Sequence, residues 1–572
     1  FLLRMITEKW RAFEKDLSRP QSALASELRE TANSAHHGHK FSSDDTYRAL
    51  DTIERLLTVI GAGDEADAVA KMRMEHQREV YEKQTRNRLM REAHAAKVTG
   101  MQAGTTIKPW RDIIRPHEDV IRGHFSAAEF AADLYAVAHG HTTSSDYLEP
   151  VEFFARTYLT SGLSDLLTRA LKRLSGDAGA SPVINLQTQF GGGKTHSMLA
   201  LYHLFSAGLN TSKLPQPVQD VVHGSLPTTD NDPLRSLDVK RVTLVGTKLS
   251  PSQPIVKDDG TQVRTLWGEL AWQLGGRKAF DRVAMADATS TDPGDALDAI
   301  VRETVAGGQS VLILIDEWVA YARQLLGRDD LPGGSFATQH TFAQHLTEMA
   351  KSIPGVMLVV SIPASDSLDN GGGGSGLEVG GPNGHVALET LQQVIGRNAD
   401  DWRPANNVES FEIVRRRLFE EPDAVALADI SAVAKQYVKY YQENTGFFPR
   451  ETTTGEYEQR IRAAYPIHPE LFDRLYEDWS TLPKFQRTRG VLRLMSVVIN
   501  ALWNTRETAP LITPGAVPIE DTQVFSEITK YLDDNWKPVV DKDVDGEGST
   551  PIQIDRERPS FGQRALTQRI AR

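Results

Sequence analysis

The chain of 572 residues contains no cysteine. That absence removes disulfide frameworks, thiolate zinc sites, iron–sulfur clusters and cysteine nucleophiles together, and it suits a reducing cytoplasm. Long apolar runs are missing as well. No stretch of about 18 apolar residues is available to span a bilayer, and the opening FLLRMITEKW becomes charged too soon for a signal peptide. A cytoplasmic protein with no membrane partner is expected. Positive charge is not in excess: 64 Lys and Arg face 76 Asp and Glu, a formal charge of -12, which excludes a surface that is polybasic throughout but allows local basic grooves. H-E-x-x-H and G-x-S-x-G are both absent, so nothing argues for a protease or esterase. Phe1 at the start and the uncapped RALTQRIAR at the end suggest a piece of a longer protein, with its native start at Met5 and further sequence after Arg572.

What is present divides into segments, and the length suits about three or four domains. Residues 1–100 read as helical, because Ile6, Trp10, Phe13 and Leu17, and then Tyr47, Leu50, Ile53, Leu57 and Ile60, recur at helical spacing. A helical connector is expected over 101–180. From 181 to 405 short β-branched runs alternate with helices, which predicts an α/β fold built on a parallel sheet. The expected strands are Val183 to Leu186, Val242 to Val245, Val311 to Ile315 and Val356 to Ile362, all apolar enough to be covered on both faces. DNGGGGSGLEVGGPNGH, from Asp369 to His385, reads as a Gly-rich insertion with little apolar surface to offset its ordering entropy. A helical lid is expected over 406–510, and a small mixed region over 511–572.

The strongest signal is VINLQTQFGGGKTHSMLALYHLF, from Val183 to Phe205, an apolar strand running into a Gly-rich turn, then Lys, Thr and a helix. Gly191, Gly192 and Gly193 let successive N–H groups turn toward phosphate oxygens, and the helix start adds partial positive charge. Lys194 is placed to reach the β- and γ-phosphates and Thr195 to ligate Mg²⁺, with His196 beside them. The usual G-x-x-x-x-G-K-[ST] pattern has a Gly where this chain has Thr188. A second signal agrees with the first. VLILIDEW, Val311 to Trp318, is a buried strand ending in two carboxylates, so Asp316 falls near the metal and Glu317 beside the attacking water. GVMLVVSIPASD offers Ser361 as a sensor of the γ-phosphate, where plain turn chemistry is the alternative. TKLS, Thr247 to Ser250, lacks the Asp that would read guanine, which favours ATP.

Arg397 in VIGRNADDW could serve as an arginine finger on a neighbouring subunit's nucleotide, or be an ordinary surface Arg. Arg415, Arg416 and Arg417 splay around a helix, and one or two of them solvate it. Arg487, Arg489 and Arg493 surround a helix start, as a sensor contact, a nucleic-acid backbone contact or a solvated face. DKDVDG, Asp541 to Gly546, opens like a Ca²⁺ loop, but position twelve is Ile552 in place of Glu; a solvated acidic turn is expected. His36, His37 and His39 lack a fourth zinc ligand.

QTQFGGGKTH, LILIDEW and YPIHPELFDRLYEDWSTLPKFQRTRGVLRLM, with PHEDVIRGHF and RTYLTSGLSDLL, resemble the large AAA-like P-loop ATPases of the anti-phage-associated domain-of-unknown-function group. The resemblance implies a place in prokaryotic defence islands, partners among methylases, helicases or nucleases, DNA as a target, and a homo-oligomer. It also implies a motor or switch hydrolysing ATP with Mg²⁺, with Lys194, Glu317 and Arg397 as its catalytic residues. ELRETANSAHH and FSSDDTYRALDTIERLL resemble a HEPN domain, whose nuclease pair would be Arg29 and His36. In a second alignment His37 takes the His position, Asn33 keeps the polar residue and Ala32 replaces the Arg, which favours an interaction module. Two alternatives stay open at this point: a scaffold that binds ATP with little turnover, and a HEPN ribonuclease gated by the ATPase.

Overall fold

A computed structural model describes residues 24–29, 31–32, 43–59, 62–74, 107–123, 132–141, 145–187, 193–226, 232–362, 382–397, 399–402, 409–479, 482, 485, 487–546, 548–562 and 565–572. The chain forms two units, Phe1–Ala103 with Asp423–Ala428, and Gly104–Pro422 with Asp429–Arg572. In the first, helix α1 (Ser43–Val59) turns Leu56 into a small core with Leu24, Ala25 and Leu28. Arg73 ties back to it through Glu54 at 2.7 Å and Tyr47 at 3.0 Å.

The second unit begins with α2 (Glu118–Arg122), α3 (Ser145–Leu148), α4 (Pro150–Ala155) and α5 (Ser161–Leu174). Then come β1 (Val183–Leu186) and α6 (Lys194–Leu204), and β2 (Val239–Val245) with a two-residue hairpin, β3 (Ile255–Val256) and β4 (Gln262–Val263). After them follow α7 (Leu266–Thr289), α8 (Asp295–Ala306), β5 (Ser310–Asp316), α9 (Trp318–Ala322) and α10 (Phe336–Ser352). β6 (Val356–Ser361), α11 (Pro382–Ile395), β7 (Asp400–Trp402) and α12 (Ser410–Leu418) complete the part that matters for the site.

Among the described residues five strands form one parallel sheet in the order β2-β5-β6-β1-β7. Side chains alternate across it, as strand geometry requires. Val311, Ile313 and Ile315 face one apolar cluster with Trp267, Leu270, Phe342 and Leu391, while Leu312 and Leu314 face the other with Leu166, Leu167 and Leu199. Both faces are therefore covered by helices, and each such Leu or Ile contributes about 1.5–3 kcal/mol over exposure. The fold is α/β with a parallel sheet, as its alternating runs predict. At the sheet's far end, Arg173 of α5 is buried and donates to the carbonyls of Ala350, Ile353 and Val356, satisfying the end of α10 and the start of β6 with one guanidinium.

Packing redistributes the outer segments. The expected connector is not one body: Trp110, Ile114 and Val120 join a helical cluster running from Val414 to Tyr531, whereas Leu134 to Leu174 pack on the sheet. That helical cluster takes in Leu511, Ile512, Val524 and Ile528 with the expected lid, so no break in packing falls at 510. The region 511–572, expected to be mixed, shows helices and turns among its described residues, with one isolated bridge between Ile467 and Ile512. Pro382 to His385, assigned to the Gly-rich insertion from sequence, open α11.

Candidate functional site

Register alone brings the chemistry together. Val245 pairs with Asp316, Val183 to Leu186 pair with Leu358 to Ser361, and Leu186 also pairs with Trp402. Asp316, Ser361 and the end of β1 therefore share the carboxyl edge of the three central strands, the edge where open α/β sheets bind ligands.

At that edge the Thr195 hydroxyl donates to Asp316 Oδ2 at 2.8 Å, and the Ser361 hydroxyl donates to Asp316 Oδ1. Ser361 Oγ in turn accepts from the Glu317 N–H at 3.2 Å, and Asp316 Oδ1 accepts from the same N–H at 3.0 Å. Asp316 is 3% exposed and Ser361 2%. The expected sensor Ser is thus at the site, where its direct partners are the two acidic residues. Lys194 is buried at the first position of α6, and Gly193 caps that helix at φ +82°, a left-handed turn that suits glycine. Gly191 and Gly192 lie outside the described residues.

Glu317 stands at φ +54° and ψ +36°, a left-handed conformation that is uncommon for a residue with a Cβ. Two neighbours at the end of β2 shape it. The Thr247 hydroxyl donates to Glu317 Oε2. Gly246 leaves room for the Glu317 carbonyl, which a Cβ at 246 would meet at 2.1 Å. The sequence marks neither neighbour for this role beyond the position of Gly246 and Thr247 directly after the apolar run Val242 to Val245.

His196 turns away from the acidic edge. Its Nε2 lies 3.1 Å from Thr157 Oγ1, and its ring packs 4.7 Å from that of Phe153. Burial, then the nearby Arg417, pushes its pKa down to about 4, so it stays neutral near pH 7. The expectation that it contacts nucleotide is corrected accordingly: the first turn of α6 faces α4 with this side chain.

Arg397 is not brought to the site within the chain. It is exposed on the turn after α11, three residues before Asp400, which pairs with Ile184 near the start of β1. The crossover helix has carried it to the opposite edge of the sheet. The arginine run also departs from expectation. Arg415 pairs with Glu412 at 2.5 Å, Arg416 with Glu421 at 2.7 Å, and Arg417 is buried beside Asp146 at 3.1 Å. Arg493 pairs with Glu527 at 3.1 Å, while the side chain of Arg487 lies outside the described residues. In the expected acidic turn, Asp545 is buried against Arg572 at 2.7 Å and accepts from Glu520 N–H at 3.0 Å, so it is not solvated. Arg29 and Ala32 are described; Asn33, His36, His37 and His39 lie outside the described residues.

The Thr195 hydroxyl and Asp316 carboxylate are both hard oxygen donors. Their 2.8 Å separation matches neighbouring ligands of an octahedral ion with bonds of about 2.1 Å, which suits Mg²⁺. Among the described residues no cluster of three or more His, Asp or Glu could hold a metal, so such an ion would need oxygens from substrate and water. No helix among them is long and apolar enough to cross a membrane.

These residues define an α/β domain whose site occupies the carboxyl edge of a parallel sheet. Residues 111–376 match the model of the DUF499 N-terminal domain, 405–572 that of the DUF499 second domain, and 1–61 that of the Swt1-like HEPN domain. The chain belongs to the DUF499 family and carries a Swt1-like HEPN domain. No curated protein matches it. Among solved structures, the Aeropyrum pernix ORC2 protein in ADPNP-ADP complexes is 14% identical over 65% of this chain and 86% of that one, with a TM-score of 0.26. The ADP form of the same protein is 15% identical over 54% and 68%, with a TM-score of 0.17.

Proposed function

We propose that the chain is a P-loop ATPase that binds ATP with Mg²⁺ and hydrolyses it. The observation that carries this reading is the convergence of Thr195, Asp316 and Ser361 on one edge, just beyond the Gly193–Lys194 helix start. Thr195 and Asp316 would hold the Mg²⁺, which when bound offsets charge on the phosphates. Lys194 adds a fixed positive charge, and the N–H groups at the start of α6 point toward the phosphates. Water attacks the γ-phosphorus, Glu317 accepts its proton, and the bond from that phosphorus to the bridging oxygen of ADP breaks. Product is ADP and inorganic phosphate.

A motor or switch role in a cytoplasmic anti-phage defence complex acting on DNA extends this reading. It is supported by the sequence resemblance, as are methylase, helicase or nuclease partners, the homo-oligomer and an Arg397 acting on a neighbouring subunit. The scaffold alternative has one observation in its favour, the Thr247 hydrogen bond that engages the Glu317 carboxylate.

Steady-state ATP hydrolysis with and without double-stranded DNA tests the proposal. Lys194→Ala should abolish turnover by weakening binding, and Glu317→Gln should abolish it while ATP still binds. Binding without turnover in the wild type, under every condition, would favour the scaffold.

A further inference from the structure

Beside the first turn of α6 lies a square of charges from four separate elements. Arg156, which ends α4, reaches Asp119 of α2 at 2.9 Å and Asp146 of α3 at 2.6 Å. Arg417 of α12 reaches the same two carboxylates, Asp146 at 3.1 Å and Asp119 at 3.6 Å. Its guanidinium also lies 5.6 Å from the centre of the Tyr147 ring. Side-chain exposures of 17, 31, 12 and 9% for Arg156, Asp119, Asp146 and Arg417 make this a largely desolvated cluster, in which charge and geometry matter more than at a surface.

The square joins two bodies of packing. Arg417 sits between Val414 and Leu418, which belong to the helical cluster, while Tyr147, Phe153 and Phe154 around Asp146 and Arg156 belong to the sheet's cluster. On the sheet side it touches the site's own scaffold. Thr157 follows Arg156 and bonds His196, Phe153 packs on the same imidazole, and His196 follows Thr195. A second tie runs in parallel, from Glu409 at the start of α12 to the N–H of Ser161 at 2.7 Å.

We propose that Asp146 and Arg417 are positioning residues for the nucleotide site, through which the helical region fixes the Thr157–His196 contact and with it the first turn of α6. The inference rests on the ATPase reading above. Among the described residues their partners Asp119, Arg156 and Tyr147 lie away from Asp316 and Glu317, so their effect falls on how well the phosphate-binding turn is held and not on the proton transfer at Glu317. Binding energy spent on ordering that turn is energy lost from affinity.

The test is the double variant Asp146→Leu/Arg417→Met in the full chain. It removes one cation and one anion and leaves Arg156 paired with Asp119, a replacement that buried pairs often tolerate. We expect ATP to bind about tenfold more weakly by equilibrium titration, a loss near 1.4 kcal/mol, with kcat at saturating ATP within about twofold of wild type. Arg417→Lys, which keeps the charge but not the fork, should lie between the two. Unchanged affinity in a folded double variant overturns the proposal and leaves the square a packing feature. A fall in kcat with unchanged affinity overturns it too. If the double variant does not fold, the affinity of Arg417→Lys decides, and a wild-type value there overturns the proposal. Wild-type chain that binds no ATP removes the ATPase reading first and this inference with it, a result distinguishable from the others because Lys194→Ala would then change nothing.

Discussion

The Thr247 hydroxyl donates to the Glu317 carboxylate, so the group proposed to take a proton from water is held by a side chain from the next strand. Glu317 carries a left-handed backbone conformation at the same time. The donated bond occupies Oε2 and lowers the basicity of the carboxylate that would accept a proton from water. Thr247→Val keeps the shape and removes the donor. Because one such hydrogen bond contributes about 1 kcal/mol net, basal ATP turnover at saturating substrate should rise about fivefold, with nucleotide affinity unchanged. A lower rate in a folded variant would show that Thr247 orients Glu317 for catalysis.

Gly246 should tolerate no side chain. A Cβ there meets the Glu317 carbonyl at 2.1 Å and Tyr321 Cβ at 3.2 Å, so Gly246→Ala must push the Glu317 peptide away. A displacement of about 1 Å at a reacting group costs on the order of a hundredfold. Turnover should fall by about that factor while Glu317 remains chemically intact, and ATP binding through Lys194 and Thr195 should persist.

Arg173→Met leaves the carbonyls of Ala350, Ile353 and Val356 without their shared donor. The loss should be about 3 kcal/mol, as expected when hydrogen bonds to a buried charged group are removed, read as a lower midpoint in urea. Arg173 lies at the far end of the sheet from Thr195, so ATP turnover per folded molecule should not change.

His345 of α10 lies between Asp292 at 3.1 Å and Asp298 at 2.9 Å. The hydrogen bond to Asp292 leads the effects that raise its pKa to about 9, with Asp298 adding to it against the opposing effect of burial. A folded value above the unfolded 6.5 means the imidazolium stabilises the fold. That contribution, about 2–3 kcal/mol, is complete below pH 6.5 and disappears as pH rises through about 9. Urea midpoints of the wild type should fall between pH 7 and 10 more than those of His345→Gln.

Much of the sheet, and the meeting of Thr195, Asp316 and Ser361 at one edge, is legible in the sequence because both rest on local pattern. β1 is the expected run, β5 is longer than expected by one residue at each end, and β6 is shorter by one at its end. Thr195, Asp316 and Ser361 follow from what a strand end or helix start must present. β2 begins three residues earlier than the apolar run because it is an edge strand, where Lys240 and Arg241 can stay partly exposed. β7, the three residues Asp400–Trp402, has no apolar alternation to reveal it; backbone pairing with β1 makes it a strand. The contacts of Thr247 and Arg417 are illegible in the sequence for a different reason. Their partners Glu317 and Asp146 are 70 and 271 residues away, and strand order and helix docking, which create those contacts, leave no periodic mark.

Thr195 and Ser361 donate to the two carboxylate oxygens of Asp316, whose strand is laddered to Val245 of β2, whereas Thr247, just after β2, donates to the carboxylate of Glu317. On the ATPase reading, recognition and cleavage would rest on different supports. The oxygens proposed to hold the ion already lie against one another, so on that reading a partner pressing on the 246–247 corner would change the chemical rate more than the amount of nucleotide bound.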